Sequence, residues 1–140
     1  MSARGYLRRA IHAYLAGFEA DWRDAYPGIN AVSLMEMDDP VDCRQAELLP
    51  VVHYAVKRRL ASRAPDYWDH ATRLELAVLN KDEAAATEAA ANALAAVRES
   101  WEAETTARNL ALIRAARAAR NEQYAWASTI EEALARRARG

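Results

Sequence analysis

Five polar residues stand inside apolar helical stripes: Asn30, Thr72, Glu75, Thr105 and Asn109. Glu75 lies on a packing face between Leu74 and Leu76, where an unpaired carboxylate costs several kcal/mol. Each such group needs a partner or a path to water. One reading satisfies them internally, with one another, with helix ends or with nearby arginines. The other has them converge on a groove and read a small polar ligand. The arginines divide in the same way. Arg108, Arg114, Arg117 and Arg120 crowd one segment, and Arg73 follows Thr72. They are either cations complementing a helix C-terminus, or forks that clamp a phosphate or carboxylate.

Other chemistry lacks its residues. His12, His53 and His70 are scattered without metal-ligand spacing, so no metal site is expected. Cys43 is the single cysteine; it excludes an internal disulfide and carries no partner pattern. No phosphate-binding glycine loop or nucleophile elbow is present, so neither catalysis nor a cofactor is implied.

The elements that must position these residues are helices. About a quarter of the residues are alanine, the best helix former, while glycine and proline number 4 each. A first helix is expected from Ser2 to Asp24, with Leu7, Ile11, Leu15, Phe18 and Trp22 on one stripe. Tyr26-Pro27-Gly28 reads as a break before a second helix, Ile29 to Met37. Asp38-Asp39-Pro40 closes it. Val41 to Leu49 reads as loop or short helix ahead of a helix from Pro50 to Ser62, or as part of one kinked helix with it. Asp66 caps a helix from Tyr67 to Leu79. An alanine-rich helix follows, Glu83 to Glu99. Ser100 caps the next, Trp101 to about Arg120. The last lies within Glu122 to Ala138, or begins at Ser128 on a capping-box pattern.

Two of these helices repeat a motif. Trp68-Asp69-His70-Ala71-Thr72 returns as Trp101-Glu102-Ala103-Glu104-Thr105, a step of 33 residues from 68 to 101. A tetratricopeptide unit has roughly that period. The expected fold is therefore all-α, a tetratricopeptide-like helical-hairpin solenoid of six or seven helices. Residues 1–140 form one domain. Repeated helix faces point the same way, so their polar groups line one concave surface. Trp22, Trp68, Trp101 and Trp126 read as packing anchors between helices.

The net charge is −1, from 19 basic and 20 acidic residues. No global field favours nucleic acid or an anionic membrane. No apolar run approaches the roughly 20 residues of a membrane span. The opening Met-Ser-Ala-Arg-Gly lacks a signal-peptide core, and a cytoplasmic protein is the natural reading.

Together the blocks Tyr26-Pro27-Gly28-Ile29-Asn30-Ala31, Tyr67-Trp68-Asp69 with Ala71-Thr72 and Glu75, and Trp101 with Thr105 and Asn109-Leu110 carry a resemblance. From about Leu15 to Ile113 the chain resembles the tetratricopeptide-repeat sensor domain of bacterial conflict systems. In animal apoptosis-signal-regulating kinases that domain is called the TRAFs-binding domain. The resemblance implies a non-catalytic regulatory sensor. It would bind a nucleotide-derived small molecule and control an effector protein. These 140 residues hold no effector domain, so the effector is separate or the chain is part of a longer one. Carried onto this sequence, the ligand-facing positions are Asn30, Trp68, Thr72, Glu75, Trp101, Thr105 and Asn109. Trp68 or Trp101 stacks on a base; Arg73 or Arg114 meets phosphate. The alternative is a protein-interaction scaffold whose groove takes a partner helix or peptide. A small nucleotide-directed enzyme is a third class. The oligomeric state is left open.

Overall fold

The computed structural model describes residues 2–140, and among them are seven helices and no strand. Helix packing gathers them into two compact units, one ending at Ala64 and one spanning Pro65–Gly140.

In the first unit, α1 (Ala3–Ala20), α2 (Ala25–Met37) and α3 (Gln45–Ser62) pack in sequence. Ser2 caps α1 by accepting the Gly5 N–H at 3.1 Å. The helix stops at Ala20, short of the expected Asp24, because Asp24 caps the next helix instead. Its side chain accepts the Tyr26 N–H at 3.1 Å. Tyr26-Pro27-Gly28 is consequently no break: it forms the first turn of α2. Proline is tolerated there because first-turn N–H groups have no partner within the helix. Gly28 gives α2 its close approach to its neighbours. A Cβ at that position would stand 2.9 Å from the Phe18 ring and 3.0 Å from a Val52 methyl. Phe18 and Val52 are both buried, so neither has room to yield. Gly28→Ala is expected to lower stability by about 1–2 kcal/mol. Overpacking of roughly 1–3 kcal/mol outweighs a helix-propensity gain of just under about 1. Urea unfolding checks this, and an unchanged midpoint would show that the ring and methyl move aside.

Pro50 lies inside α3, and the helix begins five residues before it. One continuous helix thus replaces both a loop before Pro50 and a start at Pro50. Gln45 ties it to α2, its amide donating to Val32 O and Glu36 Oε1, each at 3.0 Å.

The second unit contains α4 (Tyr67–Leu79), α5 (Glu83–Ala96), α6 (Ser100–Ala118) and α7 (Ala125–Arg139). α4 packs on α5 and α6 on α7, as two hairpins. Stacking then joins α4 to α6 and α5 to α7. The first helices of the hairpins start at 67 and 100, which keeps the 33-residue step of the sequence. This is the stacked-hairpin arrangement expected of a tetratricopeptide-like array.

A reciprocal capping box starts α4. Asp66 accepts the Asp69 N–H at 3.0 Å, and Asp69 accepts the Asp66 N–H at 2.9 Å. Ala86, Ala89, Ala90 and Ala93 form the buried side of α5, which lets α4 approach closely. That helix ends at Ala96, before the expected Glu99, because Glu99 caps α6 in a box with Glu102. Ser100 is therefore the first helical residue and not the cap. Likewise α7 begins at Ala125, one turn before Ser128. Glu131 is not needed for a box and pairs with Arg114 instead.

Trp22 and Trp101 are not the buried interhelical anchors that the sequence suggested, whereas Trp68 packs on the Tyr67, Ala71 and Ala93 cluster between α4 and α5. Trp22 is 51% exposed and Trp101 55%. Trp68 and Trp126 are half-buried. The buried anchors of the second unit are Tyr67, Leu74, Leu76, Ile113 and Leu134.

Candidate functional site

The repeated motif places its two indoles against each other. Trp68 near the start of α4 and Trp101 near the start of α6 lie with ring centroids 5.7 Å apart and planes tilted by 39°. Trp68 also meets Tyr67 edge-on, at 5.0 Å. Tyr67 is buried, and its hydroxyl joins Thr106 Oγ1 at 2.6 Å and donates to Glu102 O at 3.1 Å. Burial pushes the Tyr67 phenol above its ordinary range, so it stays protonated. The pair thus rests on a rigid, satisfied floor, with one indole partly covered and the other open to solvent.

Glu102 fixes the start of α6. Its carboxylate accepts the Arg98 N–H at 2.8 Å, the Glu99 N–H at 3.0 Å and the Arg98 guanidinium at 3.2 Å. Burial pushes this carboxyl upward; the three donors outweigh that and hold it below its ordinary value. A depressed pKa contributes stability above the unfolded value, lost as pH falls through the folded one. Glu102→Gln should therefore cost about 2 kcal/mol at pH 7. The difference from the parent should shrink as pH falls below about 4.5. Thermal unfolding from pH 3 to 7 tests this; a pH-independent gap would mean that packing alone holds the residue.

Two short stripes continue from the indoles. Thr72 and Glu75 follow Trp68 along α4, and Thr105 and Asn109 follow Trp101 along α6; all four are half-buried. The Thr105 hydroxyl donates to Trp101 O at 2.8 Å, so it already serves its own helix. Leu112 extends the α6 stripe and is 50% exposed. The indole-bearing face of the packed pair α4–α6 therefore carries six of the nine positions singled out in the sequence.

The other three lie off that face. Arg73 is turned toward α5, 3.4 Å from Glu88. Arg114 makes a two-pronged pair with Glu131 of α7, at 2.9 and 3.2 Å. Asn30 belongs to the first unit, and its amide donates to Tyr26 O at 2.8 Å.

A second feature went unread in the sequence. α6 and α7 enclose a cavity of about 450 Å³, with Val78, Leu110 and Ile113 against it and Arg114, Arg117 and Glu131 on its sides. Arg117 is 2% exposed. It donates to Leu79 O at 3.2 Å, lies under the Tyr124 ring at 5.3 Å and stands 3.6 Å from Glu122. Lys81 reaches the same Glu122, at 3.3 Å. Nothing in sequence spacing marks Arg117 apart from Arg114 and Arg120. The Tyr124 and Glu122 positions after the helix were the only available hint.

Among the described residues no group of three histidine, cysteine, aspartate or glutamate side chains is arranged to hold a metal ion. No helix there is long and apolar enough to cross a membrane.

A family model described as the MAP3K TRAFs-binding domain matches residues 1–132. The match runs through both compact units. No curated protein and no solved structure matches the chain.

Proposed function

Because the chain belongs to the MAP3K TRAFs-binding domain family, we propose that it is a protein-interaction domain whose docking face is the α4–α6 surface. The family is named for binding proteins, which favours the scaffold reading over a nucleotide sensor. The observation that carries the choice of face is Trp101. It is a large aromatic side chain, half exposed and backed by a second indole on a buried tyrosine. Tryptophan is the residue type most enriched among interface hot spots, and rigid backing lowers the entropy cost of binding. Leu112 extends the apolar strip by three turns along the same helix.

The chemistry of the cations agrees. A phosphate clamp needs guanidinium groups free to close on an anion. Arg73 and Arg114 each face a carboxylate of a neighbouring helix instead. The work is therefore read as non-catalytic holding of a partner, with no small molecule required.

Titration by calorimetry tests this. A purified TRAF protein is the first partner to try, followed by any protein retained from the native extract and then purified. Saturable one-to-one binding supports the scaffold. Heat from a panel of nucleotides and cyclic nucleotides, with none from any protein, would overturn it and restore the sensor.

A further inference from the structure

In the first unit, α3 packs on α2 through one side. Gln45, Val52, Ala55 and Val56 make that side and are buried. The opposite side faces solvent. There Val51 is 40% exposed and Tyr54 53%, and Lys57 and Arg58 stand one turn further on, also exposed. At 3.6 residues per turn, Val51, Tyr54 and Arg58 fall on one stripe with Lys57 along its flank. Apolar area at the first two positions gains from leaving water.

The charge of this segment is one-sided. No aspartate or glutamate occurs between Glu47 and Asp66, whereas four cations do: Lys57, Arg58, Arg59 and Arg63. Arg59 lies in the last turn of α3, where a cation complements the helix dipole. Lys57 and Arg58 precede that turn. Among the described residues neither of them meets a carboxylate. Elsewhere Arg44, Arg73, Arg98, Arg108 and Arg114 each do.

Charge complementarity therefore defines what fits this face: carboxylates opposite Lys57 and Arg58, apolar groups opposite Val51 and Tyr54. The spacing points to a helix. Steps of three and four residues from Val51 to Tyr54 to Arg58 are those by which two helices interlock. A helix running antiparallel to α3 sets its own first turns beside Lys57 and Arg58, and its dipole favours carboxylates there. A second copy of α3 matches less well, because it brings the same two cations and a single carboxylate, Glu47. Anionic bilayers are held by clusters of roughly four to eight cations, more than the pair on this face.

We propose that the outer face of α3 docks an acidic amphipathic helix of a partner protein. Tyr54 is its apolar anchor, and the partner's carboxylates pair with Lys57 and Arg58. This reading does not depend on the α4–α6 face.

The test is fluorescence anisotropy on the full chain with a labelled peptide of three heptads. The peptide has leucine at the a and d positions and glutamate at e and g, so its like charges oppose self-pairing. A control peptide has lysine at e and g. The acidic peptide is expected to bind with Kd below about 100 μM, and the lysine peptide at least about tenfold more weakly. Arg58→Glu should weaken binding at least about tenfold, and Tyr54→Ala at least about fivefold. Arg137→Glu makes the same charge change in the last turn of α7, and should alter binding less than about twofold. All three positions are exposed, so each variant is expected to fold. The proposal is overturned if the acidic peptide does not bind at about 1 mM, or if the lysine peptide binds as tightly. It is also overturned if Arg137→Glu loses as much as Arg58→Glu. Two further results overturn it by giving the face another occupant. One is a dimer in sedimentation that Tyr54→Ala dissolves. The other is retention on vesicles of equal phosphatidylserine and phosphatidylcholine that Arg58→Glu releases.

Discussion

Arg117→Ala is expected to cost about 3–5 kcal/mol, from a buried carbonyl left without its donor together with the void left by a buried side chain. The reason lies in how α4 ends. The last four carbonyls of a helix have no donors within it. In α4, three of them are satisfied by the following turn. Leu76 O accepts from Asn80 N at 2.9 Å, Ala77 O from Asp82 N at 3.0 Å and Val78 O from Lys81 N at 3.1 Å. The fourth, Leu79 O, takes its hydrogen bond from Arg117, thirty-eight residues on. The same guanidinium supports the Tyr124 ring and faces Glu122. Truncation leaves the Leu79 carbonyl without its donor, removes one of the two cations beside Glu122, and opens a void at the junction of two hairpins.

Domains of this size are stable by only about 5–15 kcal/mol, so the variant should lose much of its margin. Urea unfolding monitored by tryptophan fluorescence measures it. Arg117→Lys keeps the charge but loses the planar fork, and should fall between the two. Arg114→Ala is the control. Arg114 is half exposed, and its pair with Glu131 should be worth no more than about 1 kcal/mol. An Arg117→Ala loss within about 1 kcal/mol of the Arg114→Ala loss would refute this account of the junction.

The contrast between these two arginines marks where sequence reading stops. Arg114, Arg117 and Arg120 recur every three residues, and all three suit a helix C-terminus. Which one is buried depends on where Leu79 O and Tyr124 arrive in space, and spacing does not encode that. Local signals fared better. Pro65-Asp66 set the start of α4, and the asparagine-lysine-aspartate turn set its end, because caps and turns act over a few residues. The 33-residue step put the two tryptophans at equivalent positions of stacked hairpins, but that their rings meet emerges only in the structure.

Tyr26-Pro27-Gly28 misled because proline, disfavoured in helix interiors, is welcome in a first turn. The choice between the two rested on Asp24 acting as cap. Arg73 misled through angular position. Five residues after Trp68 it has turned well away from the indole face, and it meets Glu88 of α5. Burial of tryptophan misled most usefully, since the exposed Trp101 indole is the observation on which the proposed docking face rests.

That signal yields the second large effect. Trp101→Ala is expected to weaken partner binding by about 2 kcal/mol or more, some thirtyfold, while changing folding stability by less than about 1. Binding and folding separate here because of burial. Trp101 is 55% exposed, and its single aromatic neighbour is Trp68 among the described ring contacts. Removing it takes little apolar area from the core, yet removes the most prominent apolar feature of the α4–α6 face. Trp68→Ala behaves differently. Trp68 is half-buried and packs against both Tyr67 and Trp101, so its loss should reduce stability by about 2–3 kcal/mol as well as binding. Leu112→Ala is the third member of the set: like Trp101 it is half exposed, and it should reduce binding by roughly 1 kcal/mol with stability unchanged. Calorimetric titration with the purified partner, alongside urea unfolding, gives both quantities for each variant. If Trp101→Ala binds as tightly as the parent, the docking face lies elsewhere. If it unfolds as readily as Trp68→Ala, the indole is a structural prop, and its exposure carries no functional meaning.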